Sequence, residues 1–439
     1  MKSPPPTEKK TRVISVMPHG PAYDYYKGEA PEIHWALPDG ATVGFWSREW
    51  MDILGAEVLK RTDRYEWEVW QPDFRADKIY SHTLDTGVTH RLFPAGEKQY
   101  GRWPLGEKGV YSASLLSSLV EAGRGRALVL LYGTYGFRFP FYYEILGALR
   151  GLNIPVFMRS GGMFRAPLSD IWGLHRPLTY LKTLKEHFQL KAAIARADVV
   201  SEQSAAALCQ LRKIYRGRVE KLTMGCDFSF WTAAPSAAEK AALRLKLGVS
   251  SGKTLFFASG NFVPRKQLDR LVEAFVSLGD RKDFFLLIAG HGGEKESRRL
   301  AALAEPLVKS GRALIHGFAE GEALRALYRA ADVYVSVATD EGGPASVMKA
   351  LACGLPVLTT PVGETADALR AEGAGRFVPL RDYAAWTLAL RDILEKGLPT
   401  PMPLAAARDK YDWPEVAARY VNVFRDLEAE YFERTHDGE

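Results

Sequence analysis

Short apolar runs bounded by glycine or proline alternate along the whole chain with stretches whose apolar residues fall three and four apart. Residues 12–17 (RVISVM), 127–132 (ALVLLY), 155–159 (PVFMR), 254–259 (TLFFAS), 284–289 (FFLLIA) and 333–337 (VYVSV) are mostly apolar at consecutive positions. Their length suits strands, and unbroken apolarity suits parallel strands covered on both faces. Residues 67–71, 89–93, 197–200, 219–224, 313–316 and 355–359 read as further strands. Helical spacing marks 48–60, 140–150, 204–212, a stretch opening at 268, 324–331, 345–353 and 384–396. A last amphipathic helix follows 412–414 and runs to 431, with Val416, Tyr420, Val423, Phe424 and Leu427 on one face. Residues 23–47, aromatic and punctuated by glycine, read as a long loop. Strands alternating with helices predict an α/β fold built on parallel sheets.

Length and composition refine this. At 439 residues, two domains are expected. With 47% hydrophobic and 25% charged residues, the chain is able to bury two cores. The net charge of +6 comes without a long block of one sign, so no nucleic-acid partner is expected. Cys209, Cys226 and Cys353 are far apart and in no metal-binding spacing, which suits a reducing compartment. The N-terminus, MKSPPPTEKKTR, is polar and proline-rich, unlike a signal peptide. The most apolar stretch, 127–137, is closed by Arg138 and is too short to span a bilayer. A cytoplasmic protein is expected.

Candidate chemistry concentrates in 331–363, ADVYVSVATDEGGPASVMKALACGLPVLTTPVG. Strand, loop, helix and strand succeed one another there, and in open α/β sheets ligands bind at such strand ends. Gly342 and Gly343 let backbone approach a ligand. The helix opening at Pro344 offers unpaired N–H groups and a positive dipole end, which suit a diphosphate. Glu341 adds an acceptor for hydroxyls. A carboxylate beside a phosphate cradle suggests a sugar nucleotide.

The run Asp340-Glu341-Gly342-Gly343-Pro344, continued by Lys349-Ala350-Leu351-Ala352-Cys353-Gly354-Leu355-Pro356-Val357, resembles the signature of the retaining glycosyltransferases of family 4. The resemblance implies the GT-B fold: two Rossmann-like, doubly wound domains facing across a cleft. Residues 1–229 would be the acceptor-binding domain and 230–410 the nucleotide-sugar-binding domain. Residues 411–439 would form a helix packing back toward the first. Glu341 matches the first glutamate of the family's pair, which faces the donor sugar. Lys349 stands where the family has its second, which bonds the ribose, and a lysine cannot accept that bond. The loop Gly260-Asn261-Phe262-Val263-Pro264-Arg265-Lys266 resembles the family's diphosphate grip. Lys266 matches its lysine, Asn261 stands in place of its arginine, and Arg265 is a candidate substitute.

Glu341 and Lys266 are therefore the expected catalytic residues. Gly260, Asn261, Arg265, Gly290, His291, Phe318, Gly342, Gly343 and Lys349 are expected around the nucleotide. On the acceptor side stand His19 and Gly20, after the first strand, and Arg159 and Ser160, where the family often carries a histidine. His19 and His291 read equally as ordinary loop histidines, and Arg159 as a salt-bridged loop arginine. Residues 164–196, basic and aromatic, read either as a peripheral contact with the inner face of an anionic membrane or as helices with a solvated basic face. The expected activity is transfer of a sugar from a nucleotide diphosphate to a glycan or lipid-linked acceptor. No metal or other cofactor is expected. The rival reading is a non-catalytic partner subunit binding nucleotide or glycan; a nucleotide-sugar epimerase is a smaller rival.

Overall fold

The computed structural model describes residues 9–17, 33–36, 38–40, 42–45, 49–101, 106–133, 140–161 and 177–433. Two compact units divide the chain. The first comprises Met1–Leu222 with Val416–Glu439, and the second Thr223–Glu415. The division falls at 222/223, against an expected boundary at 229/230, and the terminal segment counts with the first unit from Val416.

The strands of the first unit are β1 (Thr11–Val16), β2 (Ile33–Ala36), β3 (Thr42–Phe45), β4 (Tyr65–Asp73), β5 (Tyr80–Thr83), β6 (Thr89–Pro94), β7 (Gly96–Tyr100), β8 (Glu107–Tyr111), β9 (Ala127–Gly133), β10 (Val156–Ser160), β11 (Val199–Glu202) and β12 (Arg218–Lys221). Eight form one sheet in the order β12-β11-β10-β9-β1-β4-β6-β5. Its neighbours pair in parallel except β5, which runs antiparallel to β6. Two antiparallel ribbons, β2 with β3 and β7 with β8, stand apart from it. The first corrects the expectation of a continuous loop over 23–47.

One face of this sheet contributes Ile14, Val16, Val129, Leu131, Met158 and Val200 to a core with Phe141, Ile145 and Leu190. On the other, Phe157 packs against Tyr420 and Phe424 of the helix Trp413–Glu428. That helix is pinned by a carboxylate. Glu428, fully buried, accepts from Thr11 Oγ1, from Arg64 Nε at 2.7 Å and from Tyr65 Oη at 3.0 Å. A buried charge with this many donors is compensated.

The second unit holds β13 (Thr254–Ser259), β14 (Phe284–Ala289), β15 (Ala313–Gly317), β16 (Val333–Ser336), β17 (Val357–Thr359) and β18 (Arg376–Phe377). They form one all-parallel sheet in the order β15-β14-β13-β16-β17-β18. Phe256, Leu286, Val333 and Leu358 enter a core on one face, and Phe257, Leu287, Tyr334 and Val357 a core on the other. This explains their unbroken apolar sequence. The chain winds outward from β13 through β14 to β15, then returns to β16 beside β13 and winds the other way. The reversal lies between β13 and β16, and at such a reversal open α/β sheets receive ligands at the carboxyl ends of their strands.

Candidate functional site

The loops at these strand ends are laced by backbone. Gly260 N–H donates to the Ala289 carbonyl at 3.0 Å, Phe262 N–H to that of His291 at 2.6 Å, and Gly290 N–H to that of Gly317 at 2.7 Å. The loops after β13, β14 and β15 thus form one surface. Gly290 has φ +153, and a Cβ there would lie 1.9 Å from the Gly260 carbonyl oxygen, so only glycine fits.

After Phe262 the chain makes a single 3-10 turn, Pro264–Lys266, and Gln267 at φ 49 starts the helix Leu268–Val276. Thr339 N–H, in the loop after β16, donates to the Arg265 carbonyl at 2.9 Å and ties the two loops together. Arg265 Nη1 then lies 2.6 Å, and Lys266 Nζ 2.5 Å, from the same oxygen of Glu341. Arg265 Nη1 also reaches the Asp340 carbonyl at 3.3 Å. The Glu341 side chain is 8% exposed, that of Lys266 15% and that of Arg265 41%. Two cations on one carboxylate leave one net positive charge, carried largely by the exposed guanidinium.

The loop is also held from the β17 side. Glu364 N–H donates to the Gly342 carbonyl at 2.7 Å, and a Cβ on Gly363, at φ +78, would lie 2.8 Å from that oxygen. Glu364, fully buried, accepts from Tyr411 Oη at 2.5 Å and is ion-paired with Lys410, whose Nζ lies 3.1 Å from its other oxygen. Pro344 caps the helix Ala345–Ala352, which begins without a side-chain cap. Its first N–H groups have no acceptor within the helix.

Of the remaining expected nucleotide residues, Asn261 is exposed on the loop after β13. His291 and Phe318 meet edge to face with ring centroids 5.1 Å apart, and Phe318 is 60% exposed. Lys349 lies with its ammonium 4.7 Å from the ring of Trp231, itself buried. The Lys349 ammonium thus spends its charge on an indole of its own unit.

His19 and Gly20 lie outside the described residues. Arg159 and Ser160 are the last residues of β10, both 1% exposed. The loop-arginine reading is corrected. The Arg159 guanidinium lies inside the first unit, 5.0 Å from the ring of Tyr132 and 5.3 Å from that of Tyr420. Of 164–196, only 177–196 are described. The helix Pro177–Ile194 buries Leu190 and Ile194 and exposes Tyr180, Leu181 and Phe188. Sequence reading passed over Glu202 and Gln203, both fully buried. The signal was there: a charged and an amide residue directly after the apolar strand Val199-Val200.

Residues 239–411 match the family model described as glycosyl transferases group 1. The match lies within the second unit. An uncharacterised glycosyltransferase of Methanocaldococcus jannaschii is 26% identical over 272 residues, 61% of this chain and 66% of that protein. A D-inositol 3-phosphate glycosyltransferase of Xylanimonas cellulosilytica is 28% identical over 241 residues, 54% of this chain and 58% of that one. The chain thus spans less than two thirds of the length of either relative. Among solved structures, sucrose-phosphate synthase from Thermosynechococcus elongatus aligns with TM-score 0.67 at 17% identity, covering 96% of this chain and 100% of that one. Anabaena HepE, solved with UDP, aligns with TM-score 0.61 at 14% identity over 95% and 100%. The fold is GT-B. Among the described residues, no helix is long and apolar enough to cross a membrane.

Proposed function

We propose that the chain transfers a glycosyl group from a nucleoside-diphosphate sugar to a hydroxyl of a glycan or lipid-linked acceptor, with retention and without a metal, in the synthesis of a cell-surface polysaccharide or glycoconjugate. The observation that carries the reading is the cation pair Arg265–Lys266 joined to Glu341 across the reversal of the sheet. The match to the group 1 model and the relatives named as glycosyltransferases support it. So does the likeness to HepE, whose structures hold UDP and UDP-glucose.

In this reading the bond between the anomeric carbon and the diphosphate oxygen breaks, and its electron pair stays on the leaving diphosphate. The acceptor oxygen bonds the anomeric carbon on the face just vacated, and its proton passes to the departing phosphate oxygen. Lys266, Arg265 and the first N–H groups of the helix Ala345–Ala352 meet the charge that develops there. Glu341 holds the two cations in register, and its backbone loop faces the sugar. His291 and Phe318 form an aromatic shelf for the base.

One observation favours the non-catalytic alternative: the Glu341 carboxylate is already engaged by both cations. The experiment that separates the two is nucleotide-sugar turnover by the intact chain and by Lys266→Ala. Donor consumption that falls at least about a hundredfold in the variant, with nucleotide binding weakened, supports the transferase. Nucleotide binding with no turnover of any common nucleoside-diphosphate sugar supports the binding subunit.

A further inference from the structure

A buried line of hydroxyls runs beneath the strand-end loops of the second unit. Tyr328, in the helix Gly321–Ala330, and Tyr334, in β16, are 0% and 1% exposed, and their rings stack with centroids 5.5 Å apart. Tyr328 Oη lies 2.9 Å from the Oγ of Ser259, the last residue of β13. It also donates, at 2.9 Å, to the carbonyl of Ser346 in the first turn of the helix Ala345–Ala352. Tyr334 Oη meets Ser259 three times: it lies 3.2 Å from Oγ, donates to the carbonyl at 3.2 Å and accepts from the N–H at 3.4 Å.

The far end of this line fixes the order of its protons. A carbonyl only accepts and a hydroxyl has one proton, so Tyr328 spends its proton on Ser346. Ser259 Oγ then donates to Tyr328, and Tyr334 donates to Ser259. Burial pushes the Tyr328 phenol well above its ordinary pKa, so it keeps the proton it gives. Removing any one hydroxyl breaks the line at a defined place.

Its ends are the two halves of the proposed diphosphate site. Ser259 leads into the loop that carries Arg265 and Lys266. Ser346 belongs to the turn whose first N–H groups have no acceptor within the helix. That helix starts without a side-chain cap, and the grip on its first turn comes instead from Tyr328. The bonds from Thr339 to Arg265 and from Glu364 to Gly342 hold the intervening loop rather than the helix. The Tyr328 ring packs edge to face with Phe257 at 4.9 Å and Trp231 at 5.5 Å, contacts that a phenylalanine would keep. Packing by the ring and alignment by the hydroxyl are therefore separable.

We propose that Tyr328, acting through Ser259, is a positioning residue for the donor: it aligns the first turn of the helix Ala345–Ala352 with the loop of Arg265 and Lys266, so that cations and helix N–H groups meet one diphosphate together. This rests on the reading of the Arg265–Lys266–Glu341 cluster as a diphosphate site.

The test is calorimetry on the full chain with UDP, GDP and ADP, followed by the monophosphate of whichever binds most tightly. The quantity read is the ratio of diphosphate to monophosphate affinity, which a general loss of stability does not move. Tyr328→Phe and Ser259→Ala should each lower that ratio about three- to tenfold, with the monophosphate affinity held within about twofold. Ser259→Ala decides alone should Tyr328→Phe fail to fold. The double variant should fall no further than the worse single one, because both interrupt one line. A fall equal to the product of the two single effects overturns the single line. An unchanged ratio, or equal weakening of both nucleotides, overturns the positioning role and leaves the donor site standing. Failure of the parent chain to bind any of the three diphosphates overturns the donor site itself, and the positioning role with it.

Discussion

Lys266 ends the turn after β13 and Glu341 lies in the loop after β16, and their side chains meet at 2.5 Å. They meet because β13 and β16 are neighbours at the reversal of strand order. Arg265 closes on the same carboxylate oxygen. The cation expected at a diphosphate and the carboxylate expected at a sugar thus form one ion-paired unit, and in the proposed function an arriving diphosphate shares the cations with Glu341.

Sharing makes the effect of Glu341→Gln divide. Removing the charge frees both cations, so a nucleoside diphosphate should bind about two- to tenfold more tightly, while transfer falls by at least about a hundredfold. Calorimetry with the diphosphate and a turnover assay on the same preparation check this. Parallel loss of both would show that the carboxylate only holds the loops in shape.

Gly290→Ala tests the lacing of the strand-end loops. The new methyl would overlap the Gly260 carbonyl and push the loop that carries Arg265 and Lys266. A loss of about 2 kcal/mol or more is expected from overlap with backbone. The thermal shift produced by nucleotide should shrink even where the protein still folds. A Tm within a degree of the parent would contradict the geometry.

The second unit was legible because its strands are buried on both faces and its glycines punctuate each strand end. Thr254–Ser259 and Phe284–Ala289 occur as the apolar runs predicted them, and the loop at Glu341 falls where its glycines and proline place it. The first unit was less legible. Its ribbons β2–β3 and β7–β8 carry mixed sequences such as GEKQY, in which no run of alternation stands out. Arg159 illustrates the deeper limit. A charged residue at the end of an apolar run reads as the start of a loop, and only the tertiary arrangement of Tyr132 and Tyr420 shows it to be interior. Likewise Lys266 and Glu341 were each identified separately, but their mutual pairing depends on strand order, which no local pattern encodes.

Lys349 yields a prediction with two readouts. Its contact with Trp231 should contribute about 0.5–2 kcal/mol, so Lys349→Met should lower Tm by a few degrees at most. Lys349→Glu places at this position the residue type of the motif that the stretch resembles. Where position 349 reaches the ribose, this variant should bind nucleoside diphosphate more tightly despite the lost contact. Unchanged or weaker nucleotide binding would confine Lys349 to its structural role beside the indole.

Glu202 ties stability to pH in a direction opposite to an ion-paired carboxylate. Burial raises its pKa in the folded chain to about 8 from an ordinary 4.5. The folded state therefore holds a proton that the unfolded state has already released between these values. Its contribution is complete below about pH 4.5, declines as pH rises through the window at up to about 1.4 kcal/mol per unit, and levels off above about 8. Glu202→Gln keeps the shape and the neutral charge and removes the titration. Melting curves of the two proteins from pH 5 to 9 should therefore diverge, with the variant losing less stability toward the alkaline end. Because all other groups are common to both, the difference isolates this one carboxyl. Curves that stay parallel across the window would mean that the carboxyl titrates normally, and that water or a counter-charge reaches it in solution.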